Sequence, residues 1–137
     1  MPKITVETIV NAPMAKVWEC WNEPKHITQW CHASDDWEAP NAENDLEIGG
    51  KFVTVMASKD KKVSFDFGGT YTDIKEEELI EYDMTDTRHV KITFTEVADG
   101  IKVTETFDAE SVNSLEKQRD GWQAIMDNFK KYTESQK

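Results

Sequence analysis

The sequence predicts an α+β fold: a curved sheet of six or seven antiparallel strands with one long helix across its concave face. Nearly all of the chain from Phe52 to Phe107 reads as strand. A single amphipathic helix follows, from Ser111 to Tyr132. Its large apolar residues Leu115, Trp122, Ile125, Met126, Phe129 and Tyr132 fall at steps of seven, three, one, three and three, which keep to one helical face. Two shorter helical stretches come directly after the first strand. A helix with one apolar stripe must bury it, and the hollow side of the sheet is the economical place.

Taken in order, Ile4, Val6, Thr8 and Val10 alternate with Thr5 and Glu7, giving a first strand with one buried face. Asn11 offers a side-chain cap and Pro13 suits a first helical turn. Met14, Val17, Trp18 and Trp21 then mark one helical stripe, which Asn22-Glu23-Pro24 ends. Lys25 to Trp30 reads as a second short helix, and the pair is expected to plug the outside or one mouth of the sheet. Ala33 to Glu38 reads as a short strand, and the polar, Pro-containing run Ala39 to Asp45 as a loop. Leu46 to Ile48 and Lys51 to Ser58 are extended runs around Gly49-Gly50, a tight turn or bulge. Lys59 to Lys62 is a solvated hairpin turn.

Val63, Phe65, Phe67 and Tyr71 share one parity, whereas Ile74 takes the other, so a bulge is expected near Gly68-Gly69. Leu79 to Met84, Arg88 to Val97 and Ile101 to Asp108 complete a meander, with Asp99-Gly100 as a hairpin signal. In the last helix, Gly121 beside Trp122 is expected to allow close approach to the sheet.

At 137 residues the chain reads as one domain, residues 1–137, large enough for a core without disulfides. Five Trp, six Phe and three Tyr supply much of its bulk. The net charge of −11 repels phosphate backbones and anionic headgroups, which argues against nucleic acid and membrane-surface binding. Asp35 to Glu47 carries six acids and no base, and Asp73 to Asp83 six acids against Lys75, patches that read first as solvated surface. Cys20 and Cys31 occur with no secretory signal and no membrane-length apolar run, so a cytoplasmic protein with reduced thiols is expected.

Motifs for several chemistries are missing. There is no nucleophile elbow, and His26, His32 and His89 are scattered. Adjacent Cys31 and His32 diverge in most backbones, and no zinc spacing or calcium loop occurs, so neither metal nor cofactor is expected. Polar residues on apolar parities say more. Glu105 falls with Val103 and Phe107, Glu96 with Ile92 and Phe94, and Gln118 on the inner helix stripe. A carboxylate facing a core is costly unless it is paired or opens on a hollow. Either Glu105 looks into an interior cavity, or it sits at the surface beside a Lys or Arg. Glu96, close to a turn, reads as outward.

The run from Val17 through Trp18, Trp21, Asn22, Pro24 and Ile27 to Trp30 resembles a signature of the homologues of the activator of the heat-shock-protein-90 ATPase. That family lies in the START-like (SRPBCC), birch-pollen-allergen-like superfamily. Asp45 to Phe52, Gly69 to Tyr71, Ile80 to Tyr82, Val103 to Phe107 and Gly121-Trp122 follow in the family's order. The resemblance implies a helix-grip fold with a cavity for an apolar ligand such as a lipid, sterol, polyketide or aromatic metabolite. It implies no shared catalytic residues and only weakly a chaperone partner. Cys31 stands where a second bulky aromatic is common in the family, which would widen the cavity.

The expected role is therefore binding of a small apolar or aromatic ligand. Its candidate contacts are Trp37, Phe52, Met56, Phe67, Tyr71, Phe94, Glu105, Phe107, Gln118, Trp122 and Met126. The alternatives are a cyclase- or hydrolase-type enzyme using Glu105, with Tyr71 a possible assistant, and a chaperone-linked interaction protein acting through its acidic patches.

Overall fold

The computed structural model describes residues 2–136. Strand β1 (Lys3–Val10) leads into helices α1 (Met14–Asn22) and α2 (Pro24–Trp30). Six strands follow: β2 (Trp37–Asn44), β3 (Lys51–Ser58), β4 (Ser64–Lys75), β5 (Leu79–Met84), β6 (His89–Val97) and β7 (Gly100–Asp108). Helix α3 (Leu115–Ser135) completes the order. The strands form one antiparallel sheet, β1-β7-β6-β5-β4-β3-β2, curled into a half-barrel whose two edges are the chain's first two strands. Helix α3 packs against β1 and α2 against β2, so the helices bridge the open side of the half-barrel. This is the helix-grip arrangement.

Register explains the inner face. Val6 lies opposite Glu105, Glu105 opposite Ile92, and Ile92 opposite Ile80, so one row crosses β1, β7, β6 and β5. The next row runs Ile4, Phe107, Val90, Tyr82 and Tyr71. Eight of these nine side chains are apolar or tyrosine, Glu105 being the exception, within a face buried almost throughout, and α3 closes it with Met126 and Phe129.

Several local expectations change. The run Ala39 to Asp45 is mostly strand, not loop. Pro40 is tolerated because β2 is an edge strand and its register slips between Glu38 and Asn41. Leu46 to Ile48 is a turn rather than an extended run. Gly50 N–H donates to Glu47 O (2.8 Å) and Gly49 takes φ +86°, which suits glycine. The bulge in β4 lies at Thr72, between the pairs Tyr71–Tyr82 and Asp73–Glu81, and it gives Ile74 its opposite parity. Gly68 and Gly69 stay in register. They are small because a Cβ would meet the carbonyl oxygens of Phe52 at 2.7 Å and Asp83 at 2.4 Å.

Helix ends differ as well. Asn11 does not cap α1. Pro13 holds the N-cap position, and the Asn11 backbone N–H instead donates to the Glu134 carboxylate (2.8 Å) near the end of α3. Helix α3 starts later than expected because the Gln118 amide gathers the preceding loop. It accepts from Glu110 N–H (2.8 Å) and donates to the carbonyls of Glu110 (3.1 Å) and Asn113 (2.9 Å). Ser114 then caps the helix, and Leu115 is 45% exposed, outside the stripe. Among the described residues no helix is long and apolar enough to cross a membrane.

Gly121 does not bring α3 close to the sheet, since a Cβ there would meet nothing within 4 Å. It is a helix-interior glycine with room for a methyl group. Gly121→Ala is therefore expected to stabilise the protein by about 1 kcal/mol, the difference in helix propensity. A rise of about 4 °C in thermal midpoint would report it. A fall would mean that the position is strained or crowded.

Candidate cavity between the long helix and the sheet

A cavity of about 270 Å³ lies between α3 and the inner face of the sheet. Strands β3 and β4 supply Phe52, Thr54, Met56, Phe67 and Tyr71 as one wall, with Ile80, Tyr82 and Met84 from β5 beside them. Glu105 of β7 reaches it from the far side of β6. Trp122, Ile125 and Met126 of α3 form the facing wall, and Trp21, Ile27, Trp30 and Cys31 close one end. Glu43, Asn44 and half-exposed Phe65 bring the lining to the molecular surface. The volume is near the lower end of the roughly 300–1,000 Å³ found for small-molecule sites.

The apolar walls are braced from behind. Trp122 stacks on fully buried Phe107 (centroids 3.7 Å, planes 11° apart) and meets Phe67 edge-on at 5.9 Å. At the closed end, Trp21 and Trp30 both set their rings edge-on against Phe129, at 4.8 and 4.9 Å. Trp30 also donates its indole N–H to Cys20 O (2.9 Å), which fixes α2 on α1. These rings are held before any ligand arrives.

Polar groups at the cavity fall into two sets. One set is spent on the fold. Tyr71 donates its hydroxyl to Asn44 Oδ1 (2.6 Å), Asn44 donates to Asn22 O (2.7 Å), and Asn22 donates to Trp18 O (2.9 Å). This chain ties β4 to the edge strand β2 and to α1, and burial holds the Tyr71 hydroxyl well above its ordinary pKa. Arg88 is likewise engaged, by Asp86 (2.9 Å) and by Asp108 O (3.4 Å).

The other set is unspent. Glu105 makes no hydrogen bond or ion pair among the described residues, and burial pushes its pKa up to about 8. At neutral pH it is mostly the uncharged acid. Tyr82 and Thr54 likewise make no side-chain hydrogen bond. The Cys31 thiol, pushed up to about 12 by burial and then by nearby Glu105, stays protonated and touches Met56 Sδ (3.8 Å).

Of the residues singled out from the sequence, Phe52, Met56, Phe67, Tyr71, Glu105, Trp122 and Met126 line the cavity. Four others lie elsewhere. Trp37, on the edge strand, packs against Phe65 (5.9 Å). Phe94 is buried under Trp18 (5.1 Å), and Phe107 stands behind Trp122. Gln118 is buried but turned to the loop that it gathers. Phe94 and Phe107 do face the core, but a shared parity cannot separate a side chain that meets the hollow from one that meets its neighbours. Glu96 is exposed. The residues the sequence reading missed include Thr54, Ile80, Tyr82, Met84 and Arg88. Alternation of Ile80, Tyr82 and Met84 was the available signal for three of them.

A second cluster escaped motif spacing. Glu19, Cys20 and His26 bring one ligating atom each to within 4.8 Å of one another. Both His26 ring nitrogens are already engaged, Nδ1 with the Tyr132 hydroxyl (2.6 Å) and Nε2 with Glu19 (3.0 Å). The donor types would suit a borderline metal ion, yet as it stands the group is a hydrogen-bonded link from α1 and α2 to α3.

The family model for the Activator of Hsp90 ATPase homolog 1-like protein matches residues 11–134. The solution structure of an AHSA1-like protein from Aeromonas hydrophila is 39% identical, with a TM-score of 0.92 over 98% of this chain and 94% of that one. A Cytophaga hutchinsonii protein is 52% identical, with a TM-score of 0.84 over 98% and 93%. A crystal structure of a Nitrosomonas europaea protein shares the fold alone, at 16% identity and a TM-score of 0.81 over 98% and 95%. No curated protein sequence matches the chain significantly.

Proposed function

The chain belongs to the Activator of Hsp90 ATPase homolog 1-like family, and on that premise we propose that it binds a small, largely apolar ring compound between α3 and the sheet. The observation that carries this reading is the cavity of about 270 Å³, walled by aromatic and aliphatic side chains, with Trp122 stacked on Phe107 behind it. Filling such a hollow removes apolar ligand surface from water at roughly 25 cal/mol per Å². Because the walls are already stacked, little ordering cost opposes binding. Phe52, Met56, Phe67, Trp122 and Met126 are its contacts in this reading, and the location is cytoplasmic, consistent with Cys20 and Cys31 as free thiols.

Naphthalene is expected to bind one to one with a dissociation constant of about 10–100 µM, in the range of a good ten-atom ligand. Methyl resonances of Met56, Met126 and Ile80 should shift on titration, while that of exposed Ile9 stays in place. Met126→Trp, which puts a larger ring on the cavity wall, should weaken binding at least about tenfold. Shifts confined to the outer face, or unchanged binding by the filled variant, would move the site away from the cavity.

The enzymatic reading keeps one observation in its favour. Glu105 is a buried acid on the cavity wall with a pKa of about 8, suited to donate a proton near neutral pH. Conversion of a bound compound by the native protein and not by Glu105→Gln would establish it.

A further inference from the structure

Glu105 and Tyr82 are only 7% and 5% exposed, and neither side chain has a polar partner among the described residues. Among those residues, the Thr133 hydroxyl alone is fully enclosed without a partner. The oxygens of Glu105 and Tyr82 therefore keep some open surface, and both residues line the cavity. Val90 and Ile92 of β6 separate them by register, so the polar pair is set in apolar floor. Leaving two such groups unsatisfied is costly, and a ligand atom of the right kind would recover that cost.

We infer that this end of the cavity takes an uncharged acceptor oxygen, a ketone or similar carbonyl on an apolar ring system, held by Glu105 and Tyr82 as donors. The inference rests on the cavity being a ligand site and adds the ligand's polar chemistry. Both groups are donors at neutral pH for physical reasons. Burial and the nearby Glu105 oppose ionisation of the Tyr82 phenol, and burial keeps the Glu105 proton in place. The surroundings do not reverse this. Helix α3 brings only Trp122, Ile125 and Met126 to the cavity, β1 and β6 set Val6 and Ile92 beside Glu105, and Cys31 beyond α2 is a neutral thiol. Arg88 is committed to Asp86, and Glu43 lies on edge strand β2. A cationic amine would need Glu105 ionised, and an anion would meet a chain of net charge −11.

Three matched compounds test this by calorimetric titration: tetralin, 1-tetralone and 1-aminotetralin. At pH 6.5 tetralone is expected to bind about tenfold more tightly than tetralin, the worth of one or two neutral hydrogen bonds. The preference should shrink at pH 9.5 in the native protein and persist there in Glu105→Gln, whose amide still donates. Tyr82→Phe should reduce the preference for tetralone over tetralin several-fold. Equal affinity for tetralone and tetralin, or a preference untouched by Tyr82→Phe and by pH, would overturn the inference and leave the ligand site standing. Tighter binding of 1-aminotetralin would also overturn it and assign a cation site. Failure of all three compounds to bind would overturn the ligand-site reading together with the inference.

Discussion

Glu105→Gln is expected to make the protein more stable than the native sequence at pH 9 by about 5 kcal/mol, and to change little near pH 4.5. Burial raises the folded-state pKa from 4.5 to about 8 because no partner compensates the lost hydration. Between those values the folded protein keeps a proton that the unfolded chain has released. Native stability therefore falls as pH rises through this window and levels off above it. At 1.36 kcal/mol per unit the span amounts to on the order of 5 kcal/mol. The amide variant has the same shape and no proton to lose, so it escapes the fall. Urea unfolding of both proteins at pH 5, 7 and 9 measures the gap as a difference in midpoints at equal slope. A gap that stays constant with pH would show that Glu105 is ionised and compensated in the folded state. An ordinary paired surface carboxylate shows the opposite trend, which makes the sign informative as well as the size.

That a costly acid persists on the floor of a core is a reason to connect stability with binding. The fold without ligand carries the penalty of Glu105 and Tyr82 together, and the fold with an acceptor oxygen in place would not. A carbonyl ligand should thus raise the unfolding midpoint more at pH 7 than a hydrocarbon of equal size, by an amount that follows the logarithm of their affinity ratio.

How far these features were legible beforehand differs by level. The long helix, the meander from Leu79 to Asp108 and the inward parity of Glu105 rest on periodicities that survive folding unchanged. The edge strand around Pro40 was hidden, since its composition is that of a loop. Only its place beside β3 at the sheet's edge makes it a strand. The late start of α3 was hidden too, because it depends on the Gln118 amide reaching back to Glu110. For the cavity, one-dimensional parity names the inner face but not depth. Phe107 and Trp122 share a ring stack, yet only Trp122 meets the hollow. Tyr82 was equally readable as core, and what distinguishes it is a hydroxyl left without a partner. Such a property belongs to the packed molecule alone.

Phe129→Ala is expected to cost about 4 kcal/mol, the second large effect. Phe129 is fully buried on α3, and both tryptophans of the cavity's closed end set their rings edge-on against it. Truncating a buried Phe to Ala typically removes 3–5 kcal/mol through lost transfer energy and the space left behind. Loss of two edge-to-face contacts adds to the transfer term. Since a domain's whole stability is only about 5–15 kcal/mol, Phe129→Leu serves as the milder variant, with a loss of about 1–2 kcal/mol. Function should follow stability here. Phe129 is not part of the cavity lining, but Trp21 and Trp30 are. Freed from their common anchor, the two indoles can tilt into the space behind them. The leucine variant should therefore bind naphthalene more weakly although no contact residue has changed. If it unfolds at the native midpoint and binds as the native protein does, the three rings are incidental neighbours, and the grip of α3 on the helix pair must come instead from the link of Glu19, His26 and Tyr132.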